Sequence, residues 1–256
     1  MNTEILSTPF IERCVALLKN CSATESIGAI IGGNGTGKSC AMRALELRYG
    51  KLGLPGTCFR YRCCQIEAGA TRGIRDLLLE LGAGGAALMN GSSVSVHVLS
   101  RIAIREFKQH NIRTLLLDEA DQWSVQTLGG LVSLYDLCKE KEHPITLIVA
   151  GAERHERWIG ALPAMRSRTL HFENSTNLDE AGMASVLKSW GEPFSGLVAR
   201  VEAGENPAKR VFTRIFKGTS GNFRRLFYFT ELAKQHPGQK IDTALVDAVL
   251  AKMVNS

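Results

Sequence analysis

The chain has 256 residues and a mass of 27.9 kDa, enough for one large domain or for a domain with a small appendage. With 45% hydrophobic and 22% charged residues, it can bury a core and is unlike a disordered chain. No apolar run approaches the ~18 residues of a membrane span. The amino terminus also lacks the regions of a secretory signal, so we expect a cytoplasmic protein without membrane contact.

Cysteine usage and charge narrow the class further. The seven cysteines form no Cys-x-x-Cys pair and no zinc-type spacing with histidine, which predicts reduced thiols. The net charge is +6, but residues 206–240 hold eight basic residues and one acidic residue, so this segment alone carries +7. Such a local excess of positive charge indicates a contact with phosphate, in a nucleotide or in a nucleic acid.

The first 175 residues alternate between strand and helix patterns. The predicted strands are Ile27–Gly32, Gly56–Cys64, Ile112–Leu117, Ile145–Ala150 and a short last strand, Thr169–Phe172. The predicted helices are Pro9–Lys19, Cys40–Tyr49, Thr71–Leu81, Val94–His110 and Val125–Lys141, with a Gly/Ser-rich loop over residues 82–93. Three strands are nearly continuous apolar runs, which is typical of a parallel sheet covered by helices on both faces.

After Phe172 the strand patterns stop. The remaining predicted helices are Leu178–Trp190, Phe194–Glu202, Ala208–Phe216, Asn222–Gln235 and Thr243–Val254. The sequence therefore predicts an α/β domain over residues 1–175, followed by a small all-α domain over residues 176–256.

The turn after the first strand carries the first chemical motif. Gly32-Gly33-Asn34-Gly35-Thr36-Gly37-Lys38-Ser39 fits the pattern G-x-x-x-x-G-K-[ST] between a strand and a helix. Glycines let backbone N–H groups turn toward phosphates, and the helix N-terminus adds positive charge. We predict an ATP site formed by residues 33–40, including Cys40, with Lys38 on the β- and γ-phosphates and Ser39 on Mg²⁺. A chance glycine-rich loop is the alternative.

The third strand ends in two carboxylates, Asp118 and Glu119. Ligands bind at the carboxyl ends of strands in open parallel sheets, so both side chains should face the nucleotide. Asp118 suits Mg²⁺, and Glu119 suits the polarisation of the attacking water. Solvated acids at a strand end are the alternative.

Three further stretches complete a family pattern. They are Ile148–Arg154, the pair Arg166 and Arg168, and Gly221-Asn222-Phe223-Arg224-Arg225. With the phosphate loop and the Asp118–Asp121 segment, they resemble AAA+ ATPases of the transposition-regulator group (TniB, TnsC and MuB) and their ExeA-like relatives. The resemblance covers about residues 9–253 and implies an AAA+ sheet followed by a helical lid.

The resemblance also implies roles for arginines. Arg224 matches the sensor-2 position, where an arginine on the lid contacts the γ-phosphate; a basic helix face is the alternative. Arg168, or else Arg166, matches the arginine finger that enters a neighbouring subunit, with an ordinary salt bridge as the alternative. The fourth strand ends Ala150-Gly151-Ala152-Glu153, without the polar sensor-1 residue of the family, so we expect slow hydrolysis.

The regulators of this group resemble one another in forming ATP-dependent helical filaments around DNA, and the resemblance implies DNA contacts in this chain. The matching positions are Arg72 and Arg75, with Ser92 and Ser93 in the Gly/Ser-rich loop; solvated surface residues are the alternative. The basic lid residues, which could contact DNA, nucleotide or a neighbouring subunit, are Lys209, Arg210, Arg214 and Lys217.

The combined expectation is an ATP- and Mg²⁺-dependent regulator of DNA transposition. It would form a homo-oligomer, either a ring or a helical filament, on double-stranded DNA. It would then engage a transposase, with a target-selecting protein as a further candidate partner. The alternatives are an ExeA-like or other assembly ATPase, a nucleotide switch without turnover, and a replication-type loader or initiator with the same ATPase core.

Overall fold

A computed structural model describes residues 8–64, 71–83, 94–236 and 240–254. The predicted Gly/Ser-rich loop, with Ser92 and Ser93, lies mostly outside these residues. The described residues fall into two compact units. We call residues 13–32 and 38–174 the sheet unit, and residues 8–12, 33–37 and 175–254 the helical unit.

The sheet unit contains five strands. They are β1 (Ile27–Gly32), β2 (Thr57–Arg62), β3 (Ile112–Asp118), β4 (Thr146–Gly151) and β5 (Thr169–Ser175), the last residue of which belongs to the helical unit. Their order is β2-β3-β4-β1-β5 in one parallel sheet. β1 and β4 are buried at every position, which explains their continuous apolar sequences.

Helices cover this sheet. They are α1 (Pro9–Thr24), α2 (Lys38–Arg48), α3 (Arg72–Glu80), α4 (Val96–Gln109), α5 (Val125–Glu140) and the short α6 (Pro163–Arg168). Three of these helices begin with a side-chain cap: Thr8 accepts from the Ile11 amide, Ser95 from the Val98 amide and Ser124 from the Thr127 amide. Large apolar side chains of the helices and strands, among them Phe107, form one buried core.

The helical unit has its own core. Its helices are α7 (Glu180–Ser189), α8 (Phe194–Glu202), α9 (Asn206–Thr219), α10 (Phe223–Lys234) and α11 (Thr243–Val254). Phe194, Phe212 and Phe229 are buried in a cluster separate from that of the sheet unit. Because α9 ends in two left-handed residues, Ser220 and Gly221, the chain can turn directly into α10.

The predicted fold class is confirmed, with small differences at element ends. β5 runs to Ser175 rather than Phe172, because its side chains alternate between exposed and more buried positions and its last residues are therefore polar. α1 continues to Thr24, and α6 was missing from the prediction because six residues are too few for a helical period. The division at residue 175 stays a prediction for the domains.

Candidate nucleotide site

The phosphate loop, residues 33–37, is grouped with the helical unit. The Asn222 side-chain amide donates to Asn34 O at 3.0 Å, and the Arg224 backbone N–H donates to Gly35 O at 3.1 Å. The buried Ser175 hydroxyl donates to Thr36 O at 2.9 Å. Residues of the helical unit thus donate hydrogen bonds to three consecutive carbonyls of the loop. The backbone N–H groups of the loop take no part in these three contacts.

Two loop glycines have different reasons to be glycine. Gly35 has φ +78°, and a Cβ there would lie 2.5 Å from Asn222 Oδ1 and 2.9 Å from Arg224 Cβ. Gly37 has φ +100° with open space around it, so its requirement is conformational alone. The loop therefore needs glycine both for close packing and for its backbone turn.

The next residues of the motif lie in the sheet unit. Lys38 begins α2, and its Nζ donates to Gly32 O at 2.7 Å, at the carboxyl end of β1. The Ser39 hydroxyl donates to Asp118 Oδ1 at 3.2 Å. Cys40 follows as an exposed thiol. The sheet unit therefore joins the predicted Mg²⁺ residues, Ser39 and Asp118, as the sequence expects.

Asp118 is a buried carboxylate, only 2% exposed. Burial raises its pKa above the ordinary range, and the Ser39 hydrogen bond opposes this rise; Glu119 adds to the rise, and the nearby arginines oppose it. Arg60 NH1 lies 3.9 Å from Asp118 Oδ2, while Arg60 Nε donates to Glu46 Oε2 at 2.8 Å. A hydroxyl beside a buried carboxylate is a hard oxygen donor set that fits Mg²⁺.

Glu119, the predicted water-polarising residue, is engaged by an arginine. Arg62 Nε donates to Glu119 Oε2 at 3.1 Å, and Arg62 NH2 donates to Oε1 at 2.8 Å. Glu119 itself has a left-handed backbone, φ 58°, which re-aims the chain after β3. No motif in the sequence marks Arg60 or Arg62, although Arg62 pairs in register with Asp118 on the neighbouring strand.

The end of β4 is closed by packing where the family carries its sensor-1 residue. A Cβ on Gly151 would lie 2.6 Å from Trp158 Cζ2 and 2.8 Å from Asp121 Oδ1. The Trp158 indole N–H donates to Ala152 O at 3.4 Å. The Trp158 indole and the Asp121 carboxylate thus fill the space that a side chain at position 151 would take. Asp121 is the polar group nearest to this position.

The two finger candidates lie on α6. Arg168 forms a two-pronged ion pair with Asp136, Nε to Oδ1 at 2.7 Å and NH2 to Oδ2 at 2.8 Å. This arrangement matches the salt-bridge alternative for Arg168. Arg166 is exposed and makes no side-chain hydrogen bond or ion pair with the described residues. Which arginine serves as a finger stays a prediction, now with Arg166 as the accessible candidate.

Of the remaining predicted site residues, the structure describes Arg224, Arg72 and Arg75. Arg224 lies at the start of α10, where its backbone contacts the loop and its side chain is exposed. Burial raises the pKa of the Asp76 carboxyl on α3, and Arg72 and Arg75 on the same helix oppose this rise. Their DNA role stays a prediction, and Ser92 and Ser93 lie outside the described residues.

Fold and motif together define a P-loop nucleotide-binding α/β protein. A family model described as "AAA domain" matches residues 21–159, and the chain belongs to this family. No curated protein sequence matches significantly. Within the described residues, no helix has the length and apolarity to cross a membrane, and no group of three or more His, Cys, Asp or Glu residues could hold a metal ion.

Solved structures share the fold at low identity. ORC2 of Aeropyrum pernix, in ADPNP and ADP complexes, has a TM-score of 0.64 and 14% identity over 94% of this chain and 66% of that chain. This chain thus spans just under two thirds of that protein. ORC1 of the same organism, in complex with DNA, has a TM-score of 0.62 and 16% identity over 99% and 68%. Domain III of Thermotoga maritima DnaA has a TM-score of 0.60 and 14% identity over 98% and 95%.

Proposed function

We propose that this protein is an ATP-dependent, DNA-binding AAA+ regulator of DNA transposition. In this proposal, ATP favours an oligomer or filament on double-stranded DNA, and that assembly engages a transposase. Hydrolysis then dismantles the assembly. The observation that carries the proposal is the Ser39–Asp118 contact beside Lys38, because it combines a hydroxyl, a buried carboxylate and an ammonium in one motif.

The residues present fit ATP with Mg²⁺. Ser39 and Asp118 supply oxygen ligands, and Lys38 supplies the charge that neutralises phosphate. Mg²⁺ held by Ser39 and Asp118 would supply the positive charge that neutralises charge developing on the phosphates. Glu119 orients the attacking water once it leaves Arg62. Arg224 reports the γ-phosphate, and an arginine of α6 acts on a neighbouring subunit.

Slow turnover is part of the proposal. Two features support it: the ion pair that engages Glu119, and the β4 end where Gly151 packs against Trp158. These same features favour a second candidate, a nucleotide switch that binds ATP without turning it over. Phosphate release decides between them, because the switch predicts no release above that of Glu119→Gln, with or without DNA.

The DNA and transposition roles rest on the distribution of charge and on the family resemblance. Residues 206–240 carry +7, which suits a polyanion. The family resemblance favours transposition, whereas the similar ORC and DnaA structures keep an initiator or loader as the rival. An initiator should prefer particular duplex sequences. A filament-forming regulator should be competed equally by unrelated duplexes of equal length.

Electron microscopy of the protein with duplex DNA tests the proposal. We expect filaments or rings on DNA with ATP or a non-hydrolysable analogue, fewer with ADP, and none for Lys38→Ala. Lys19→Ala, which removes an exposed lysine of α1, is the matched control and should assemble normally. Assemblies that survive Lys38→Ala would overturn the coupling to nucleotide. DNA binding without salt sensitivity would favour an ExeA-like assembly ATPase.

A further inference from the structure

Helix α9 has two opposite faces. Its buried residues are Ala208, Val211, Phe212, Ile215 and Thr219. At about 100° per residue, Lys209, Lys217 and Arg210 project within about 100° of one another on the other side. All three side chains are exposed. The apolar face anchors the helix in the core of the helical unit, and the basic face is directed to solvent.

In the part of the chain that the structure describes, no carboxylate is paired with these cations. Lys209, Arg210 and Lys217 make no side-chain hydrogen bond or ion pair with the described residues. The fourth cation of the helix, Arg214, is instead paired with Asp247 of α11. No acidic residue lies within Asn206–Thr219; the nearest along the chain, Glu205, precedes the first turn. Apart from Glu205, four residues before Lys209, no acidic residue of this helix accompanies the cations, so the face carries a concentrated positive charge.

The contrast with α3 is direct. That helix, which the family resemblance selects for DNA contact, carries Arg72 and Arg75 but also Asp76 and Glu80, so its formal charge is zero. α9 carries four basic residues and no acidic one. Charge complementarity to a phosphate backbone therefore favours α9 over α3 among these two helices.

We propose that the exposed face of α9 binds the phosphate backbone of duplex DNA through Lys209, Arg210 and Lys217. This inference rests on the proposed DNA-binding function and names the surface that carries it. Lys209 and Lys217 are separated by about 12 Å along the helix at 1.5 Å per residue. That length matches about three to four phosphates of one strand at 3.4 Å per charge. Contacts of this kind position DNA without reading its sequence.

The test measures how DNA affinity depends on salt. The full chain, with Mg²⁺ and a non-hydrolysable ATP analogue, is titrated onto a mixed-sequence 30-bp duplex at several salt concentrations. The test variant is the triple substitution Lys209→Gln, Arg210→Gln and Lys217→Gln. We expect the slope of log affinity against log salt to shrink by about 2.7, or 0.9 for each lost phosphate contact. At 0.1 M salt, a slope change of this size corresponds to a DNA affinity roughly 500-fold lower than that of the wild type.

A second triple variant removes the same net charge elsewhere in the helical unit. It combines Lys188→Gln, Arg200→Gln and Lys252→Gln, all of which lie outside the basic segment 206–240; Lys188 is paired with Glu202. We expect its slope to differ from that of the wild type by less than about 0.9, the value for one phosphate contact. A charge-preserving variant, Lys209→Arg, Arg210→Lys and Lys217→Arg, should also keep the slope. Circular dichroism melts check that each variant is folded.

The outcomes separate two failures. If the wild type binds duplex DNA with a steep salt slope and the α9 variant keeps it, the α9 inference is overturned and the DNA-binding function stands. Equal losses in both Gln variants would also overturn the inference, because net charge rather than position would then govern binding. If the wild type shows no salt-dependent affinity, the proposed function fails first.

Discussion

Removing Arg62 should release Glu119 and speed ATP turnover. The two guanidinium hydrogen bonds that Arg62 donates, 3.1 and 2.8 Å long, engage both oxygens of the Glu119 carboxylate. Both carboxylate oxygens already accept a hydrogen bond, so fewer acceptor sites remain to orient a water molecule. Arg62→Ala leaves the Glu119 backbone, with φ 58°, in place and changes only the engagement of the side chain.

The size of the effect follows from the exposure of the pair. The Arg62 side chain is 66% exposed and that of Glu119 is 35% exposed, so solvent weakens their attraction. Exposed ion pairs contribute about 0.2–1 kcal/mol, and the two-pronged geometry favours the upper end. Since 1.4 kcal/mol is a factor of ten, release of ~1 kcal/mol raises kcat at most about fivefold.

Steady-state phosphate release at saturating ATP, with and without DNA, measures this change. Arg62→Lys is the matched variant, because it keeps the charge without the planar fork and should fall between wild type and Arg62→Ala. Glu119→Gln defines the background. Turnover in Arg62→Ala at or below the wild-type rate, with unchanged melting temperature and KM, would refute the idea that Arg62 restrains Glu119.

Two further predictions concern stability. Gly151→Ala should lower the free energy of unfolding by about 1–3 kcal/mol, because its Cβ meets Trp158 and Asp121. The control Gly129→Ala has 3.9 Å of clearance and should be neutral or stabilising in urea unfolding. Burial lowers the pKa of the His143 imidazole. The free energy of unfolding should therefore be constant above pH ~6.5 and should decrease below that pH, by at most about 1.4 kcal/mol per pH unit. Thermal melts from pH 8 to 5 should show this loss, and His143→Gln should reduce it; an unchanged pH profile in that variant would contradict it.

Local patterns in the sequence were sufficient for the strands, for the longer helices and for the nucleotide motif. The buried strands β1 and β4 are apolar at nearly every position, and the loop Gly32–Ser39 needs only neighbouring residues to be recognised. The contacts of the arginine side chains were harder to predict. Arg168 resembled a finger in sequence, yet it is paired with Asp136, which lies 32 positions earlier in the chain.

The amino-acid sequence by itself determined that this is a P-loop α/β protein with carboxylates at the end of β3 and a basic helical tail. Only the tertiary structure decided that Arg62 engages Glu119, that Trp158 packs on Gly151 and that Asn222 contacts the phosphate loop. The physical reason is that motifs and periodicities are local in the chain. These contacts instead depend on long-range packing and on the strand order β2-β3-β4-β1-β5, which no local pattern specifies.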